Sequence, residues 1–187
     1  MREELDNALC EKYPEVFRDR RAPMTDTLMC WGFSCGDGWY NIIDTLCGLL
    51  TSEYRQAKDR YEYTKGYFDK EGKYPWKGGK EITTDELEKL RVEMEQARER
   101  IPVAVQVKEK FGGLRFYVDR ASDKHYDYIT FAESMSYRTC EECGAPGQRY
   151  TLGWHRTLCD HHADESYGEE AAHYRNKTGE WAEDDDQ

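Results

Sequence analysis

Two knots of metal-seeking side chains constrain this chain more than anything else in it. Cys140 and Cys143 form a C-x-x-C turn, and after fifteen intervening residues the chain runs Cys159-Asp160-His161-His162. Zinc takes four thiolate or imidazole ligands in a tetrahedron, so one knuckle supplies two thiolates and the second the rest. Cys140, Cys143, Cys159 and His162 complete that set. His161 is the rival fourth ligand, but repetition of the two-residue spacing favours His162. Four protein ligands leave no position for water or substrate, so the expected zinc holds a fold together and does not activate a nucleophile. The competing reading is a group of buried free thiols beside a surface histidine, since cysteine also serves as a small core residue.

A chain of 187 residues can build one ordinary core plus a small metal-held module. The other four cysteines, Cys10, Cys30, Cys35 and Cys47, bring the total to an odd seven, and no basic-then-apolar leader opens the sequence. These features predict a reducing, cytoplasmic setting with free or metal-bound thiols. No apolar run approaches the about 20 residues that span a bilayer, which predicts a soluble protein without a membrane partner. Net charge is −11, and ten of the 38 acidic residues fall from Asp160 onward, opposed only by Arg175 and Lys177. So acidic a chain lacks the overall charge for nonspecific nucleic-acid binding. Residues 180–187, with Asp184-Asp185-Asp186, read as a disordered acidic tail or a contact for a basic partner surface.

The pattern along the chain predicts an α+β fold, with helices packed on a small antiparallel β-hairpin or sheet and a C-terminal zinc knuckle module. Leu5 and Leu9 mark a short helix that stops at Tyr13-Pro14. The glycine- and aromatic-rich stretch from Cys30 to Trp39 reads as a packed turn leading into a helix, with Asp37 as its N-cap. Ile43, Leu46, Cys47, Leu50, Tyr54, Ala57 and Tyr61 lie on one face of a long helix. Gly66 to Glu81 is polar and aperiodic, a loop in a helix-loop-helix arm over 66–101. Thr83 and Glu86 there predict a capping box, with Leu87, Leu90, Met94, Ala97 and Ile101 along the second helix. Val103, Val105 and Val107 alternate, as do Leu114, Phe116 and Val118, around a glycine turn. Ser122 opens a helix with Ile129, Ala132 and Met135 inward, and Asp164 to Asn176 reads as a final helix. The resulting division is 1–138 as body, 139–179 as zinc module with its helix, and 180–187 as tail.

Several segments together resemble small zinc-finger-like proteins of uncharacterised function encoded by tailed phages and prophages. They are Tyr13-Pro14-Glu15, the run from Trp31 to Trp39, the run from Lys108 to Tyr117, Cys140-x-x-Cys143-Gly144, and Gly153-Trp154 leading to Thr157-Leu158-Cys159. The resemblance covers most of the chain outside Gly66 to Arg100. It implies a bacterial host cytoplasm and an accessory role toward host factors or host defence. The acidic C-terminal run and the arm around Pro75 are not part of the pattern.

Three functions stand as expectations. The first is a non-enzymatic protein that binds and inhibits a host anti-phage defence protein, with Tyr67, Tyr74 and Trp76 in the arm as anchors, since such rings are enriched at interface hot spots. The second is sequestration of an anionic nucleotide-type signal by converging cations and rings, for which Lys110, Arg115, Trp39 and Tyr40 are the candidates. Lys108, Lys110 and Arg115 flank the glycine turn near Tyr117, although alternating polar positions of a sheet give the same pattern. The third is a metal-dependent nuclease or hydrolase using Asp160-His161 with Asn176. It competes with the zinc knuckle for one turn and sits in acidic surroundings. No phosphate-cradling loop of the G-x-x-x-x-G-K-[ST] form occurs, and Cys30 with Cys35 lacks a matching partner knuckle for a second metal.

Overall fold

A computed structural model describes residues 1–76 and 78–177, so the predicted tail at 180–187 lies outside the described residues. Within them the fold is α+β, with seven α-helices and two separate antiparallel hairpins. No helix there is long and apolar enough to cross a membrane. Helix α1 (Glu3–Lys12) ends just before Tyr13-Pro14, as proline requires of the residue ahead of it. The Tyr13 hydroxyl then donates to the Asp44 carbonyl at 2.9 Å, tying the chain reversal to helix α2 (Tyr40–Leu50). Leu9, Val16, Met29, Ile43 and Leu46 close into the main core.

Asp37 does not cap the next helix. It belongs to a short 3₁₀ turn, Asp37–Trp39, that runs directly into α2 and leaves no free helix start to cap. Its carboxylate instead accepts from the Arg2 backbone N–H at 2.7 Å, at the head of α1. The Arg2 amide and guanidinium hold the Asp37 carboxyl below its ordinary range, the backbone bond most of all.

The predicted long helix is two. Thr51 turns its hydroxyl back onto the Cys47 carbonyl at 2.8 Å, and its backbone leaves helical geometry, so α2 stops and α3 (Ser52–Lys70) sets off anew. Back-bonding by a buried threonine is a local competitor of the helix ladder that apolar periodicity does not register. Helix α3 also runs through Gly66, where the loop was expected to begin, and ends at Lys70. With α4 (Thr84–Glu99) it forms the arm. Thr83 caps α4 by accepting from Glu86 N at 3.1 Å. The Glu86 carboxylate does not complete the box, because Tyr74 and Lys80 engage it. Tyr74 and Ile82 are buried at the arm's end with Thr64.

Strands β1 (Val103–Lys110) and β2 (Gly113–Asp119) pair antiparallel, with a bulge between Ala104 and Gln106. The bulge puts Ala104 and Val107 in the core and takes Val105 out of the expected alternation. Phe111 and Gly112 form a two-residue turn with positive φ at both positions, 53° and 79°. Asn-Gly is the usual choice there. A phenylalanine in the left-handed region costs roughly 1–2 kcal/mol.

Helix α5 (Asp123–Ser136) starts with a full capping box, in which Ser122 and His125 exchange bonds. It covers the free edge of β2 with side-chain acceptors. Ser136 Oγ accepts from Leu114 N at 2.8 Å and Glu133 Oε1 from Phe116 N at 2.9 Å. Ser136 therefore takes the inward place expected of Met135, which is 39 % exposed.

Candidate metal centre

Cys140 and Cys143 sit on a tight knuckle that Gly144 closes at φ +78°. The chain then forms a second hairpin, β3 (Gln148–Tyr150) and β4 (Arg156–Leu158), which delivers Cys159 to the N-cap of helix α6 (Asp160–Tyr167). His162 follows in the first turn of α6. The four ligand atoms of Cys140, Cys143, Cys159 and His162 all lie within 4.8 Å of one another. The Cys143 and Cys159 sulfurs are 3.8 Å apart, and His162 Nδ1 lies 3.5 Å from Cys140 Sγ and 3.2 Å from Cys159 Sγ. Zinc–sulfur bonds of about 2.3 Å in a tetrahedron put two sulfurs about 3.8 Å apart. The donor set and spacing thus fit a zinc ion, which would be held in a closed shell and would lend cohesion to the module.

His161 points out of this cluster and meets Glu165 at 3.5 Å, with its side chain 75 % exposed. Burial pushes the Cys140 thiol up, but N–H groups of Cys159, Cys143 and Glu142 directed at it outweigh that and the net shift is downward. At Cys143 an N–H from Ala145 lowers the pKa, yet burial and the two neighbouring thiols carry it upward. Thiols packed this closely resist full ionisation without a cation among them.

The module has its own small core of Tyr150, Leu158, Ala163 and Ala171 beside the ligands. Tyr150 stacks against Tyr167 and Tyr174 with ring centroids at 5.9 and 5.3 Å. The expected single last helix is again divided. Gly168, at φ +57°, separates α6 from α7 (Glu169–Lys177), and the turn lets Ala171 fold back under Tyr150.

The knuckle is docked on the body through backbone. Gly38 N donates to Glu141 O at 2.7 Å, Gly36 N to Glu141 Oε1 at 3.0 Å, and Trp39 Nε1 to Thr139 O at 2.8 Å. A Cβ on Gly38 would collide with Cys140 O and Gly144 N, and one on Gly36 with Glu141 O. On the other side Thr157 Oγ1 donates to Gly112 O at 2.6 Å. Burial raises the Glu141 carboxyl, against the Gly36 bond that lowers it. Gly36, Gly38, Glu141 and Thr157 were not among the predicted site residues. The only trace of this dock in the sequence is the Gly-x-Gly-Trp run at 36–39.

The remaining candidates scatter. Trp39 is fully buried and so offers no ring face to a ligand, and Tyr40 is half-buried against the core. Tyr74 is 5 % exposed, inside the arm's end and not on its surface. Trp76 is half exposed and meets Tyr63 and Tyr67 at centroid distances of 5.2 and 5.4 Å. Lys110 lies over the Phe111 ring, while Arg115 donates to the Tyr137 hydroxyl at 2.8 Å and pairs with Glu133 at 3.9 Å. Cys30, Cys35 and Cys47 join no metal-capable group among the described residues. Burial pushes the Cys35 thiol up to about 12 and Cys47 well above its usual value. An open groove of about 450 Å³ beside the β1 bulge is lined by Met24, Leu28, Val105 and Tyr117, with Asp26 its one charged residue, so it is not a cationic anion site. Comparison of the chain with protein-family models, with curated proteins and with solved structures yields no match.

Proposed function

We propose that this chain is a phage-encoded accessory protein that acts by binding rather than turnover, and that its partner is a host bacterial protein of anti-phage defence. The ring cluster at the end of the arm carries the binding part of this reading, and the sequence resemblance alone suggests its phage and host side. Tyr63 and Trp76 are about half exposed there and lie in mutual contact with Tyr67. Beneath them Thr64, Tyr74 and Ile82 are buried, so the rings stand on a small packed base. Preordered aromatic side chains lose little entropy on docking and supply most of the energy at protein interfaces. The metal centre supports the same reading, since four protein ligands make it a structural element.

The test is capture from crosslinked host cells with the wild-type chain and with Tyr63→Ala/Trp76→Ala. Recovery of one saturable partner that falls at least about tenfold in the double variant, at unchanged melting temperature, is the expected result. Multiple-turnover product from nucleic acid or cyclic dinucleotides with Mg²⁺ or Mn²⁺, lost in His161→Ala, would replace this reading with a hydrolase.

A further inference from the structure

The tip of the β1–β2 hairpin abuts the β3–β4 hairpin of the metal module, and cations and rings gather at the seam. A Cβ on Gly112 would lie 3.3 Å from both Arg149 Cγ and Arg156 N. Tyr137 packs over Gly113 and has the guanidinium groups of Arg115 and Arg149 at 5.7 and 5.4 Å from its ring centre. The Phe111 ring has Lys110 Nζ at 5.3 Å on one side and His155 at 6.2 Å on another. Trp154, the residue before His155 in the same loop, is 74 % exposed.

The carboxylates nearby are already engaged. Glu133 pairs with Arg115, Glu142 with Arg156, and Glu109 accepts from the turn amide of Gly112 at 2.6 Å. Lys110 and Arg149 are left without an ion-pair partner among the described residues, and so is Lys108, which pairs in register with Arg115 and has the Tyr117 ring 5.5 Å from its Nζ. Arg149 bonds His155 Nδ1 at 3.1 Å and lies over Tyr137, yet its buried Nε has no acceptor, so its guanidinium is only partly satisfied within the protein. Phe111 is only partly accounted for as well. It holds a left-handed conformation better suited to asparagine or glycine, yet its ring is 58 % exposed and adds little to the core. Backbone strain kept for an exposed ring points to a use for the ring.

We propose that this seam is a binding surface for single-stranded nucleic acid, separate from the arm, with phosphates on Lys108, Lys110 and Arg149 and bases stacked on Phe111 and Trp154. Cations interleaved with exposed rings are what an unpaired strand recognises, whereas an acidic peptide has no use for the rings. The net charge of −11 removes affinity spread over the whole surface. At physiological salt, however, charges are screened beyond about 8 Å, so a strand on the seam responds to the cations there.

Fluorescence anisotropy of the full, zinc-loaded chain with labelled strands of about 12 nucleotides, as single-stranded DNA, single-stranded RNA and duplex, tests this. A polyglutamate peptide of equal charge serves as competitor. Three phosphate contacts predict a log–log salt slope of about −2 for single strands. Lys110→Glu/Arg149→Glu should weaken binding at least about tenfold, and Lys110→Glu alone, at an exposed position, should do so in part. Phe111→Asn should raise the melting temperature by ~2–4 °C while weakening binding several-fold, a combination that a structural role for the ring does not produce. Preference for RNA over DNA would identify the ribose as a contact, within the same proposal. Absence of binding at low salt, equal binding of duplex or polyglutamate, or full affinity in a folded Lys110→Glu/Arg149→Glu variant would each overturn it.

Discussion

Gly38 and Glu141 meet backbone to backbone, with the Gly38 amide 2.7 Å from the Glu141 carbonyl and no room at Gly38 for a side chain. The metal knuckle is thereby part of the body's surface and not an appendage. Gly38→Ala drives a methyl into Cys140 O and Gly144 N, both backbone atoms that cannot step aside. The expected loss is about 3 kcal/mol, at the upper end of overpacking costs. Denaturant unfolding measures it, and Gly48→Ala, whose added Cβ has 3.5 Å of clearance, is the control.

One zinc per chain is expected, and Cys143→Ser or His162→Ala should abolish stoichiometric binding while His161→Ala retains it. Metal analysis of the purified variants reads this directly. Because metal binding is coupled to folding of its module, chelation should expose residues 139–177 to protease before the main core yields. Full zinc content in both ligand variants would refute the assignment.

Ser136→Ala should destabilise by about 1–3 kcal/mol, because the buried Leu114 N–H loses its acceptor. Met135→Ala, one residue away on the exposed side, should cost far less. The comparison by thermal or chemical denaturation separates edge-capping from helix packing.

His125 contributes a pH dependence of known sign. Burial holds its folded pKa below the ordinary 6.5, with Glu53 opposing and Lys124 assisting. Below pH 6.5 the unfolded histidine takes up a proton that the folded one resists, so its contribution is present above that pH and is lost as pH falls toward the lowered value. His125→Gln, which can still accept from Ser122 N, should flatten that part of the melting-temperature profile. An unchanged slope would show that other groups set it.

The metal cluster was legible because its chemistry is written in local spacing, and the repeated two-residue gap picks out His162, the histidine that the fold places among the three thiols. Elements with a single clear period, such as α1, α4 and the first hairpin, were legible for the same reason. What stayed hidden depends on partners remote in sequence. Apolar spacing continues past Thr51 and hides the division there, whereas Gly168, the usual kind of residue just past a helix end, was a stop signal that the reading of one last helix passed over. Met135 and Ser136 exchange places because the β2 edge needs a hydroxyl, which no property of α5 alone reveals. Tyr74 reads as an accessible ring until the segments that bury it are in place, and Trp39, read both as part of a packed turn and as a ligand face, is buried as the turn requires.

The dock between Gly36 and Glu141 spans 105 residues of chain, and that separation sets an order of events during synthesis. At about 5–20 residues per second, the amides of Gly36 and Gly38 wait roughly 5–20 s after they are made before their acceptor exists. Throughout that interval Trp39 lacks its bond to Thr139, and one side of the body lies open to water. The body therefore lacks these contacts until Thr139 and Glu141 have left the ribosome and can be brought back to Gly36, Gly38 and Trp39.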